Sequence, residues 1–575
     1  MIFLTIWVNS DGFVRKYINF QKKEKKMKNL KKILCVALSA IAITATAFTG
    51  CSPDENEVKV DNTKTQLYIS NFNGGYGSEW LEEIIERFCA ENEETEFESG
   101  KKGVQVWVEK HKESGVSLSS KMSGSRNEIY FMEQANYYDM ATRGLLLDIS
   151  DMATEKLTAY GENVSIEEKL DDNVKSYFKT PQGKYYALPH YLSSAVLTCD
   201  LDVFDEKKLF RGKDGVIGYK STDKELLSEG PDGISGTSDD GFPATYEEFY
   251  ELCGVMRQCG IDPMAWSGLY KFYSTWLVAQ MKADFEGEEA PYSYTFNGKA
   301  TKLVESINSD GSINYQPETE ITEANGYKMF ASAGTYYAYD FMYNIVKNQY
   351  YYSKSFNDSL SHTDVQSHFL YSRYDKRVTG GKTIGMLVEG TWWVNEAEPT
   401  FRAMSSYKDS SLEKRRLAVM PFPKATKAQI GEQQTLMELT RTLCCINANI
   451  PQEKIPLAKK FLQYCMTNKS LVESFKLTNV RRSYKMDISG EYDNLSPYAK
   501  SVVDTLNNSR IVIPTSSSEF YYKNSSAFIP DEIVATKSEP HPAWAFWSGR
   551  KTSKTLFEDI CSKYNQITWN VLLGK

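Results

Sequence analysis

Apolar and polar residues alternate over residues 66–72 (QLYISNF), the period of a strand with one buried face. The glycines that follow, Gly74, Gly75 and Gly77, predict a turn, and Ser78 is placed to cap a helix whose Trp80, Ile84 and Phe88 share one face. Residues 104–108 and 128–132 read as two more strands, and 137–145 as a helix. The folded chain thus opens β-α-β-α-β-α, the pattern of a layered α/β lobe.

Further along, Thr245 with Glu248 predicts a capping box, followed by a buried stripe of Phe249, Leu252, Cys253 and Met256 that Gly260 ends. Residues 384–388 form an apolar strand that runs into Glu389 and Gly390. Pro456 suits the first turn of a helix that turns Phe461, Leu462 and Cys465 inward. At the C-terminus, Leu556, Ile560, Ile567 and Val571 fall on one helical face. There is no internal repeat.

The N-terminal segment has a different texture. Lys28, Lys31 and Lys32 precede sixteen apolar or small residues, 33–48, and then Thr49, Gly50 and Cys51. A membrane-spanning helix needs about 20 apolar residues, so this shorter run reads as an export signal. Met27 stands directly before the basic cluster, so residues 1–26 are expected to be a mis-assigned extension and 27–50 the signal. Residues 51–64, polar and without periodicity, read as a flexible tether.

Removing the first fifty residues, nine of them Lys or Arg and two Asp or Glu, takes the formal charge from −8 to −15. So acidic a surface argues against a nucleic-acid partner. Cys89, Cys199, Cys253, Cys259, Cys444, Cys445, Cys465 and Cys561 contain no C-x2-C pair. Several sit on apolar helix faces and are expected to be buried thiols, although spacing does not fix their pairing. Between Phe210 and Gly241 the chain is rich in Gly, Asp and Ser. The oxygen-rich end of this loop, Asp232, Asp239 and Asp240, is the candidate site for a structural Ca²⁺, with a solvated turn as the alternative. No other cofactor is expected.

Catalytic motifs are missing: there is no H-E-x-x-H and no G-x-S-x-G, and Gly381-Lys382-Thr383 lacks the upstream glycine of a phosphate loop. Paired carboxylates for glycoside hydrolysis need not be close in sequence and stay open. What changes the picture is the aromatic content, 37 Tyr, 28 Phe and 10 Trp. A pyranose ring presents an apolar C–H face and a rim of hydroxyls, which aromatic platforms and polar side chains together would match. Such mixtures occur at residues 133–137, 270–276, 390–393 and 541–547, and core packing is the competing reading of each.

Gly50-Cys51 resembles the bacterial lipobox, in which the cysteine is lipidated. Behind it, ISNFNGGYG, KYYALPHYLSSAVLTCDLDVFDE (residues 184–206), FPATYEEFYELC (242–253), GKTIGMLVEGTWWV (381–394) and VMPFPKA (419–425) follow in the order seen in the extracellular solute-binding proteins of bacterial ABC importers. The chain resembles in particular their large carbohydrate-binding family, which includes maltose-binding protein. The resemblance covers most of residues 65–575 and implies an α/β, two-lobed periplasmic-binding-protein-like fold of type II, with hinge strands and a ligand cleft between the lobes. By segment matching, lobe one is residues 65–190 plus 417–466, and lobe two is 191–416 plus 467–575.

The same resemblance implies a non-enzymatic, monomeric receptor exported and anchored to the outer face of the cytoplasmic membrane by lipidated Cys51. It would pass a carbohydrate, an oligosaccharide above all, to an ABC permease; an exported glycoside hydrolase and a receptor for a peptide or other small solute are the alternatives. Implied ligand contacts are Tyr273 and Trp392 as stacking platforms, with Tyr270, Trp276 and Trp393 beside them. Asn73, Glu133 and Asn136 supply polar contacts, and Trp544 and Trp547 a C-terminal aromatic contact.

Overall fold

The computed structural model describes residues 59–575 apart from 193, 291–293, 295, 439–440, 516–517 and 525–532. The extension, the signal and Cys51 lie outside the described residues. Every element below belongs to one unit, Asn62–Lys575.

Strands β1 (Thr65–Phe72), β2 (Val104–His111), β3 (Ile129–Met132) and β4 (Leu188–Pro189) belong to a first sheet. Strands β5 (Ala195–Asp200), β6 (Ile261–Ala265), β7 (Thr383–Gly390) and β8 (Leu417–Met420) form a second, and β9 (Leu443–Ile446) returns to the first. The first sheet runs β2-β1-β3-β9-β4. Its β1 is parallel to β2 and β3, whereas β9 pairs antiparallel with β3 and β4. The second sheet runs β6-β7-β5-β8, with only β6 and β7 parallel.

Helix α1 (Glu79–Glu91) makes the crossover from β1 to β2 and buries Trp80, Leu81, Ile84 and Phe88, as its periodicity predicts. Ser78 precedes it without capping it: its hydroxyl donates to Asn73 Oδ1 and accepts from Asn71 Nδ2, both at 3.0 Å. Helix α2 (Tyr137–Thr142) follows β3. Helix α3 (Tyr246–Gln258) buries the expected stripe. Thr245 Oγ1 caps it by accepting from Glu248 N, and Glu248 reaches the Ala244 N–H at 2.8 Å. Helix α4 (Phe272–Glu286) is buried on nearly every side, and α5 (His362–Ser372) packs on β7. The short α6 (Trp393–Glu396) follows β7. Helices α7 (Ile455–Cys465), with Pro in its first turn, and α8 (Asn468–Thr478) pack with α1, and α9 (Pro497–Asn508) packs on β8.

These pairings correct the expected lobe boundary. Residues 417–466 were assigned to lobe one, but β8 pairs with β5 of the second sheet, Leu417 opposite Asp200. The return to lobe one falls between Met420 and Leu443. Its crossing strand is tied to the outgoing one: Thr442 Oγ1 donates to Tyr191 O at 2.7 Å, and Ser194 Oγ donates to Met437 O at 3.1 Å. Helix α8 packs on α1 and so stays with lobe one, whereas it was expected in lobe two. At the C-terminus the expected continuous face is broken. The helix Ser553–Lys563 buries Leu556 and Ile560, but Asn565 caps a new helix, leaving Ile567 and Val571 78% and 74% exposed.

The eight described cysteines are unpaired thiols. Two buried ion pairs join distant parts of lobe two, Arg415 with Asp200 at 2.7 Å and Lys424 with Asp284 at 3.0 Å. No helix among the described residues is long and apolar enough to cross a membrane.

Candidate functional site

Strand β1 connects to β2 on one side, and the chain then returns to β3 on the other side of β1. The carboxyl ends of β1 and β3 therefore flank a topological switch point, where open α/β sheets leave a crevice. Residues 73–78 leave β1 at this point, and Glu133 and Gln134 leave β3. Opposite them stand the carboxyl ends of the parallel pair of the second sheet, β6 leading to α4 and β7 leading to α6. Together they enclose a cleft of about 1150 Å³.

The lobe-two wall is aromatic. Trp276 of α4 meets Trp392 edge to face, with ring centroids 6.3 Å apart, and Tyr270 lies edge-on to His362 at 5.1 Å. Tyr273 lines the cleft but is only 4% exposed, packed between Phe272 and Trp276 with its phenol facing Glu389. Behind these rings Gln366 Nε2 donates to Glu389 Oε1 at 3.1 Å and to Glu396 Oε2 at 2.9 Å. Burial, then the neighbouring Glu396 charge, pushes the Glu389 carboxyl far above the usual carboxylate range. Burial also raises Glu396, against opposing help from His362, 3.6 Å away.

The lobe-one wall is polar backbone and loop. Asn73 N donates to His111 O at 2.6 Å and Asn73 Oδ1 accepts from Ser78, so this side chain is pinned at the rim. Glu133 is held by Tyr191, and burial followed by the Glu396 and Glu438 charges pushes its carboxyl up to about 8. Gln134 is exposed on the cleft in the left-handed region, φ 53°, a conformation that costs a non-glycine residue about 1–2 kcal/mol. Tyr76 and Tyr191 tilt together beneath this wall at 4.1 Å.

The two walls touch. A Cβ on Gly75 would lie 2.2 Å from Trp392 Cδ1 and 2.8 Å from Glu396 Oε1, so only glycine admits this approach. Asn395 of α6 also donates to the carbonyl of Thr478 on α8. This is the geometry of a closed cleft.

Of the residues singled out in the sequence, Asn73, Glu133, Tyr270, Tyr273, Trp276 and Trp392 come together on the cleft. Asn136 does not: the left-handed turn at Gln134 carries the chain away, and Asn136 caps α2 by accepting from Asp139 N. Trp393 is fully buried with Nε1 donating to Thr198 Oγ1 at 3.1 Å, because adjacent residues on a helix point apart. Trp544 and Trp547 pack on Phe356, at 4.8 and 5.0 Å, outside the cleft. Asp232 and Asp239 turn back on their own loop, Asp239 Oδ2 accepting from Asp232 N, and Asp240 Oδ2 accepts from Gly236 N. Among the described residues no group of three or more His, Cys, Asp or Glu is arranged to hold a metal ion.

Glu396, His362 and Tyr191 were missed, and Gln134 was covered only as part of the mixture at residues 133–137. A signal existed for Glu396, which lies four residues after Trp392 and so shares its helical face. His362 opens α5, far in sequence from the other cleft residues, and has no local signal.

No family model matches the sequence, and no curated protein matches it. Solved structures do. A chitin oligosaccharide binding protein is 14% identical, with 87% of this chain and 98% of that one covered at a TM-score of 0.52. SBP RafE in complex with raffinose is 15% identical, covering 87% and 99% at 0.52. T. maritima MalE3 bound to maltose is 14% identical, covering 87% and 99% at 0.51. Over 87% of its length, the chain has the fold of the two-lobed periplasmic solute-binding proteins.

Proposed function

We propose that this protein is a carbohydrate receptor of the extracellular solute-binding family, which captures an oligosaccharide between its lobes and delivers it to an ABC permease. The observation that carries this reading is the pairing of opposite walls on one cleft: the rings of Tyr270, Trp276 and Trp392 on lobe two against Asn73, Glu133 and Gln134 on lobe one. Rings accept the C–H face of a pyranose, and the facing polar groups accept its hydroxyl rim. The solved neighbours named for raffinose, maltose and chitin oligosaccharide support the same class of ligand.

A ligand that touches both walls gives the closed state interactions that the open state lacks, which is what drives closure. The signal-like segment 27–50 and Cys51 support export and lipid anchoring, with the tether letting the lobes stand off the membrane. Carboxylates from both lobes, Glu133 and Glu396 among them, line the cleft, so the test includes turnover. Thermal unfolding of the purified protein is recorded against oligosaccharides, monosaccharides and peptides. A ligand at about 100 times its Kd stabilises the fold by about 2.7 kcal/mol. An oligosaccharide that shifts the transition and is recovered intact supports the receptor. Cleavage of the sugar, or a response to peptides alone, contradicts it.

A further inference from the structure

Within the carbohydrate-receptor reading, on which this inference rests, one polar group on the lobe-one wall has no partner. Residues 74–77 make a tight turn, closed by the Gly77 N–H donating to Gly74 O at 2.9 Å. Tyr76 is the third residue of the turn, next to the Gly75 that meets Trp392 across the cleft. Its ring is fixed on three sides, by Tyr191 at 4.1 Å, His190 at 5.4 Å and Phe72 at 6.4 Å. His190 is itself held by the Arg482 guanidinium, which donates to its carbonyl and to its Nδ1, both at 2.9 Å.

Tyr76 lines the cleft and is only 6% exposed, yet its hydroxyl has no hydrogen-bond partner. That hydroxyl faces Glu133 and the Tyr191 phenol, which line the cleft with it, and Tyr191 is committed to Glu133. Among the described residues lining the cleft, one other buried side-chain nitrogen or oxygen lacks a partner, Nδ1 of His362 on the opposite wall. A buried polar group left unpaired costs free energy comparable with a lost hydrogen bond, and here the cost falls on the closed state, since opening the lobes returns the group to water. A phenol both donates and accepts, as a sugar hydroxyl does, so each satisfies the other.

We propose that Tyr76 is a specificity-determining residue of the cleft, whose phenol pairs with one hydroxyl of the bound sugar as the lobes close. The aromatic wall of lobe two accepts the ring, and Tyr76 reads whether that one hydroxyl is present. Closing on a sugar that lacks it leaves the phenol buried and unpaired, so closure is disfavoured for the wrong ligand as well as favoured for the right one.

The test is calorimetric titration of the purified protein, first with maltotriose, raffinose, cellotriose, xylotriose and triacetylchitotriose. The tightest binder and its monodeoxy derivatives, hydroxyl by hydroxyl, are then titrated into wild type and Tyr76→Phe. Wild type rejects one of the deoxy sugars by about tenfold or more, the size set by leaving a buried polar group unpaired. Tyr76→Phe keeps the ring and its packing, so Tm is unchanged, but it binds the parent sugar about tenfold more weakly. It binds that one deoxy sugar at least as tightly as wild type does, so discrimination at that position falls to within about twofold while discrimination at the others persists. Equal affinity of variant and wild type for the parent sugar overturns the proposal and leaves the carbohydrate receptor standing. So does a weakening that is the same for the parent and every deoxy derivative, the pattern of a merely structural phenol. Failure of every trisaccharide to bind overturns the carbohydrate reading itself, and this inference with it.

Discussion

The lobe-two wall of the cleft is carried by packed secondary structure, whereas the lobe-one wall is carried by loop. Tyr273 and Trp276 project from a helix buried on nearly all sides, and Trp392 and Glu396 share one face of the turn that follows a fully buried strand. Opposite them, residues 73–78 contain three glycines, and Gln134 holds a left-handed backbone. Rings on a packed wall keep a fixed spacing, so lobe two sets which ring shape fits. The loop wall adapts and makes the closing contact, so lobe one sets how completely the cleft shuts.

Breaking the rigid wall should have the largest effect. Tyr273→Ala removes a ring that is almost fully buried and strips Glu389 of its phenol, so it costs about 3–5 kcal/mol of stability by denaturant unfolding. Tyr273 therefore acts as floor as much as platform. A loss below about 1 kcal/mol would mean that the wall is as compliant as its partner.

The loop wall is tested next. Gly75→Ala fits the local backbone, since φ lies outside the left-handed region, but its Cβ meets Trp392 and Glu396 on closure. Every ligand should bind about tenfold more weakly with an unchanged Tm. Unchanged affinity would show that the lobes need not touch. A third test uses pH. Glu133, raised to about 8 in the closed cleft, contributes stability that is fully present below its unfolded pKa of about 4.3 and is lost as pH rises through about 8. Wild type should thus lose ground to Glu133→Gln between about pH 5 and about pH 8 in chemical denaturation. The smallest effect belongs to Gln134→Gly, which relieves the left-handed backbone at some entropic cost and should stabilise by about 0.5 kcal/mol.

The same contrast explains what could be read from the chain. Regular elements were legible because a buried face imposes a period: Trp80, Ile84 and Phe88 mark α1, and Phe249 to Met256 mark α3. The apolar strand 417–420 was legible as a strand but not as a member of the second sheet, since alternation says nothing about which neighbour a strand pairs with. In the site, Trp392 and Trp393 are equivalent as sequence, and only helix geometry sends one to the cleft and the other to Thr198. Trp544 and Trp547 had the right composition but found Phe356 instead. The loop wall was the least legible, because Gln134 and the Gly75 approach depend on a backbone conformation and on a partner more than three hundred residues away.

The most direct measurement of the central claim is calorimetric titration of wild type and Trp276→Ala, a half-buried ring on the cleft, with the oligosaccharide that gives the largest thermal shift. If the sugar lies between the two walls, Trp276→Ala weakens binding by about 1–3 kcal/mol with the fold intact. Identical affinities would place the site outside this cleft.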